Sequence, residues 1–418
     1  MIPITGAEPI VVVELLTQIA IVLFLGVVLK AVSNKTGFPF PVALILAGTA
    51  AVSFGLLNMK SWEGFGELIR TLALIIIVFS AGFHLQLREI KKDTKIIMIL
   101  ATLGVLITMA LITGITFSLL GISIITAAFL GALLSGSDPA AISCNEGTDC
   151  SLKDRATRIL VSESIFNQPL TLILPLLLLD LVTKPELALL NVPKFILLIG
   201  VGAAVGFVGA TLGQKILLAL KTEHEEIAGL MIAIAVFVIA ENLFGSGILA
   251  VAVTALLLSS KNIPEKEVLG VFSKQLAFLF MVFVFILLGM QVSFQQLYQL
   301  SITRYEIIAI VIALIAARLV SSLVVLVRTS LTLRERIRIG LIAPKGIGPA
   351  ALAPLLIAHN IVGAETVVKI VYIAIIASII ISMFFMRMGT EPDIKAMAEQ
   401  KTKEHTLEKT AKGEKEKV

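Results

Sequence analysis

Charge, cysteine and histidine are all scarce in this 418-residue chain, and each scarcity argues against a class of protein. Charged residues make up 15% against 57% hydrophobic, too few to cover the surface of a soluble domain. The two cysteines, Cys144 and Cys150, lie in one short loop without the paired spacing of a zinc site and read as free thiols. The four histidines, His84, His224, His359 and His405, form no Ser–His pair and no metal-binding His-Glu motif at membrane depth. An intramembrane protease is therefore disfavoured, and the chain reads as a non-enzyme without a cofactor. The net charge of +5 comes without a basic surface helix or interleaved aromatics, so no nucleic-acid partner is expected.

What the chain has in abundance is long apolar runs. Runs of roughly 18 to 25 residues give about thirteen candidate spans. They fall near 10–32, 38–57, 66–86, 96–120, 122–143, 156–182, 194–220, 226–243, 245–260, 268–292, 304–328, 336–358 and 361–386. The expected fold is therefore an all-α polytopic membrane protein. Arg88, Lys91, Lys92 and Lys95, and later Arg334, Arg336 and Arg338, fall in one set of alternate loops, whereas the other set holds only Lys60, Lys184, Lys194 and Arg304. This asymmetry places the N-terminus outside and the C-terminus in the cytoplasm of a cell that carries the chain in its plasma membrane. Residues 1–388 make the membrane domain. Residues 389–418 form a mixed-charge cytoplasmic tail without an apolar stripe.

The two halves of the membrane domain resemble each other. IIIVFSAGFHLQL, ending at Leu87, is similar to FVFILLGMQVSF, ending at Phe294, and SGSDPAAIS (135–143) is similar to APKGIGPAALA (343–353). Both motifs return in the same order, and an odd number of spans between copies inverts the second half, as in secondary transporters. Each copy of the second motif breaks an apolar run with proline and glycine beside an ionisable residue, Asp138 or Lys345. Freed backbone groups in lipid cost several kcal/mol each, so such breaks persist only inside protein or beside water. Two crossed broken helices, with opposed half-helix dipoles offset by Asp138 and Lys345, mark an ion site.

The stretch SESIFNQPL (162–170) adds a polar stripe. Glu163 and Asn167 are four apart, as are Ser164 and Gln168, so one helix face carries all four. Intramembrane carboxylates with polar companions line ion paths. Glu163 needs a cation to stay ionised, and Lys345 is the expected partner. Oxygen-rich surroundings suit Na⁺, Li⁺, K⁺ or H⁺ rather than soft metals. Arg318, also at membrane depth, reads as a structural pairing residue, and Glu241 as a helix-end charge.

Taken in order, SGSDPAAIS, SESIFNQPL, AENLFGSGILAVAVTALLL, FILLGMQVSF, AARL around Arg318 and APKGIGPAAL resemble the cation:proton antiporter superfamily, in particular its NhaP-like sodium/proton antiporters. The resemblance implies a homodimer, thirteen helices per protomer, a dimerisation domain, a six-helix core, and elevator-like alternating access in which protons and a monovalent cation compete for one site. The family's Thr-Asp-Pro corresponds to Ser137, Asp138 and Pro139, and its Glu-Ser-Ile-Phe-Asn-Asp-Pro to residues 163–169. The family's ion-binding aspartate is therefore Gln168 here, which offers an oxygen but cannot titrate. Its Gly-Pro-Arg-Gly is Ala343, Pro344, Lys345 and Gly346, a lysine for an arginine. The resemblance makes Ser137, Ser164 and Gln168 candidate Na⁺ ligands. Proton exchange is left to Asp138, Glu163 or the Glu163–Lys345 pair. The alternative is an uncoupled or non-proton-coupled ion carrier, or a sensor, on the same scaffold.

Overall fold

A computed structural model describes residues 8–62, 65–85, 87–138, 155–183, 191–220, 225–295 and 304–386. The tail 389–418 and the Cys144–Cys150 loop lie outside these residues, as does Pro139. The described chain is all helical. In order, the helices are α1 (Glu8–Thr36), α2 (Phe40–Ser53), α3 (Phe65–His84), α4 (Leu87–Ile99), α5 (Val105–Leu120), α6 (Ile124–Leu134), α7 (Arg155–Thr183), α8 (Asn191–Leu220), α9 (Glu225–Asn242), α10 (Gly247–Ser259), α11 (Lys266–Met290), α12 (Arg304–Val325), α13 (Leu333–Leu341), α14 (Ile347–Ala358) and α15 (Ala364–Met386). A π-helical turn, Leu100–Gly104, joins α4 to α5 in one long run.

Each of the thirteen apolar runs carries helix. Seven helical runs are long and apolar enough to cross a membrane, and shorter apolar helices occupy Phe40–Ser53, Leu68–His84, Ile124–Leu134 and Gly247–Ser259. The run 336–358 divides into α13 and α14 around an extended stretch at 342–346, and α6 ends before an extended stretch at 137–138. These are the two breaks that proline and glycine predict. The turn at 243–246 separates α9 from α10, so the segment around Gly245 is two helices. Multi-pass membrane insertion follows from this architecture, with large apolar side chains such as Phe24, Val27, Ile196 and Phe207 facing outward.

Local chemistry sets the ends. Ser123 caps α6 by accepting from Thr126 N, and Ser246 caps α10 by accepting from Leu249 N. Thr332 and Glu335 form a reciprocal capping box that starts α13. Gly121, at φ 61°, supplies the left-handed turn that ends α5. Glu241 Oε1 accepts from Gly247 N at 2.8 Å, so this carboxylate acts at the α9–α10 turn.

Packing places α7 at the centre of the breaks. It contacts α4, α6, α13 and α14, and it stays helical through Pro169. Elsewhere α2 lies against α11, and α10 is wedged between α3 and α8.

Candidate functional site: the crossing of two broken helices

The two breaks touch through their backbones. Asp138 N donates to Pro344 O at 3.0 Å, and Lys345 Nζ donates to Gly136 O at 2.6 Å. Each extended stretch thus satisfies groups that the other has freed, the condition for leaving a helix in an apolar interior. The 342–346 stretch is held from a third side by α15, where Ser382 Oγ accepts from Ala343 N at 3.1 Å and Ser378 Oγ accepts from Lys345 N at 2.9 Å. Sequence reasoning missed these two serines. Their signal was available: hydroxyls four residues apart on one face of an apolar helix.

Glu163 enters from α7 and is fully buried. Its Oε2 accepts from Ser137 Oγ at 2.8 Å and from Arg318 Nη2 at 2.9 Å, and its Oε1 accepts from Asn167 Nδ2 at 2.8 Å. Asn167 Nδ2 also donates to Ser137 Oγ at 3.1 Å. The cation bonded to Glu163 is therefore Arg318 of α12 rather than Lys345, a correction to the expected pair. The physical reason is reach: α12 brings a guanidinium onto the carboxylate, while Lys345 turns to the carbonyl that the first break exposes. The Glu163 carboxylate thus accepts from three side chains, one of them the buried guanidinium of Arg318.

Ser137, Asp138, Glu163, Asn167, Gln168, Lys345 and Arg318 are all buried around this crossing. Ser164 is buried as well, but its hydroxyl returns to Val161 O on its own helix at 2.9 Å. The structure does not draw it into the cluster. A Cβ on Gly346 would collide with Asp138 Oδ2, and one on Gly348 would stand 4.0 Å from Gln168 Oε1. Asp138 and Gln168 thus face the same first turn of α14, and glycine at 346 is what lets the Asp138 carboxylate approach the backbone.

Several buried polar atoms here have no hydrogen-bond partner: Asn167 Oδ1, Gln168 Oε1, and Nε and Nη1 of Arg318. An unsatisfied buried amide oxygen costs about 1–3 kcal/mol, and amide and carboxylate oxygens are the ligand type that suits a hard cation. Gln168 is the one expected Na⁺ ligand among Ser137, Ser164 and Gln168 with an open oxygen.

An all-helical bundle in which two interrupted helices cross beside buried ionisable groups has the architecture of a secondary transporter. The chain belongs to the transmembrane sodium/hydrogen exchanger family, whose model matches residues 19–387. The probable Na⁺/H⁺ antiporter 2 of Methanocaldococcus jannaschii is 27% identical over 354 residues, covering 79% of this chain and 81% of that protein. The K⁺/H⁺ antiporter NhaP of Alkalimonas amylolytica is 25% identical over 343 residues, covering 80% of this chain and 59% of its own length. This chain thus spans about four-fifths of the first relative and about three-fifths of the second. The fold is shared with the sodium proton antiporter MjNhaP1 from Methanocaldococcus jannaschii, with a TM-score of 0.75 at 21% identity over 90% of this chain and 99% of that one.

Proposed function

We propose that this protein exchanges a monovalent cation, Na⁺ or K⁺, for protons by elevator-like alternating access. The observation that carries this reading is the pair of partnerless amide oxygens, Asn167 Oδ1 and Gln168 Oε1, on the α7 face that meets the crossing. They stand ready to replace part of a cation's hydration shell, while Asp138 supplies the negative charge. Glu163 is committed to Arg318, Ser137 and Asn167, and Gln168 has no proton to give. Asp138 is then the group that alternates between proton and cation. Its backbone bond to Pro344 O ties that exchange to both half-helices.

The same reading makes the chain a carrier rather than an enzyme and, with the family resemblance, a homodimer of the plasma membrane; the positive-inside asymmetry of its loops supports the N-terminus outside and the tail inside. A second reading is favoured by one residue. Because Gln168 stands where the family has a titrating aspartate, the scaffold can carry cations without proton coupling, or act as a sensor.

The test uses purified protein in liposomes with an internal pH dye, under imposed Na⁺, Li⁺ or K⁺ gradients. Wild type should move protons against at least one cation, Asp138→Asn should abolish that movement, and Gln168→Asp should raise it. A silent wild type with an active Gln168→Asp would instead establish the uncoupled carrier.

A further inference from the structure

Behind the crossing lies a cavity of about 30 Å³, lined by Arg318, Lys345, Ala343, Ala377, Ser378 and Ser382 among others. Its charged side chains are both cationic. Arg318 is 2% exposed and spends one nitrogen, Nη2, on Glu163, leaving Nε and Nη1 without a partner. Lys345 is 3% exposed, and its ammonium donates to a neutral carbonyl, Gly136 O. The volume exceeds the roughly 10–15 Å³ that one water requires. Buried, partnerless guanidinium donors beside an ammonium are the arrangement that recognises a negative charge.

The charges of the crossing point the same way. Asp138 and Glu163 balance Arg318 and Lys345, so a cation beside Asn167 and Gln168 leaves the buried site one positive charge in excess, in surroundings that screen charge poorly.

We propose that this cavity binds a small monovalent inorganic anion of the halide class, held between an unpartnered guanidinium N–H of Arg318 and the ammonium of Lys345. The anion gives one of the open donors of Arg318 a partner and offsets the charge of a bound cation. Its charge argument rests on the proposed cation site, but its test reads thermal stability against halide rather than proton movement, so a failure of proton coupling leaves it standing.

Purified wild-type protein would be melted in sodium gluconate of fixed Na⁺ concentration and ionic strength, with chloride or bromide replacing gluconate stepwise. A saturable rise in Tm with halide is expected. Ala377→Leu, which fills the cavity, should abolish the rise, and crystals soaked in bromide should show an anomalous peak between Arg318 and Lys345. Should Ala377→Leu fail to fold, Lys345→Met keeps the bulk while removing one charge, and it should move the halide midpoint up about tenfold or more. A Tm indifferent to halide would mean that the cavity holds only water and would overturn the proposal. A folded variant that responds to halide as wild type does would overturn it equally.

Discussion

Two crossings of helices in this molecule use polar groups in opposite ways. Where α2 meets α11, a Cβ on Gly289 would collide with Ile45 O, so the two backbones are as close as glycine allows. Thr49 Oγ1 donates to Gly289 O at 2.9 Å and, its one proton so committed, accepts from the Tyr372 hydroxyl. At this crossing Thr49 and Tyr372 are both satisfied. Where the breaks meet on α7, both oxygens of Glu163 have partners, yet two amide oxygens and two guanidinium nitrogens remain open. Closed polar pairs fasten helices, and the open ones on α7 are the groups that the proposed exchange uses.

That contrast makes predictions, the largest at the salt bridge between Arg318 and Glu163 in the open crossing. Arg318→Ala leaves Glu163 buried without its counter-charge and should lower stability by about 3–5 kcal/mol, read as the steepest fall in Tm among these variants. Gly289→Ala forces backbone apart at the closed crossing. It should cost about 1–3 kcal/mol in unfolding experiments while leaving cation exchange per folded molecule unchanged. Gly346→Ala reverses that profile: the added methyl displaces Asp138, so exchange in liposomes should fall well before Tm moves. Thr49→Val is the smallest, about 0.6 kcal/mol and at most about 1.7, with exchange intact. A loss of exchange in Thr49→Val or Gly289→Ala would break the comparison, because the closed crossing would then take part in transport.

Much of this arrangement was legible along the chain. Apolar runs located the helices, and Gly136 to Pro139 and Pro344 to Pro349 located the breaks, where proline and glycine fall together beside an ionisable residue; proline alone is not enough, since α7 stays helical through Pro169. The stripe on α7 followed from four-residue spacing. The partner of Glu163 did not, since Arg318 and Lys345 both lie at membrane depth and far away in sequence, and only the packing of α12 decides which one reaches. Ser164 shows the limit of spacing from the other side. It shares the stripe, but a serine on a helix can return its hydroxyl to its own turn, and this one does.

The sequence by itself determined the solvent, the helical class, the positions of the two breaks and the polar face that meets them. Those follow from composition, proline chemistry and helical period, all of which act over a few residues. Only the tertiary structure decided which donors close on Glu163, which oxygens beside Asp138 stay open and where two cations share a cavity. The reason is physical: a buried hydrogen bond between distant residues depends on ångström-scale placement of whole helices, and no local pattern encodes that placement.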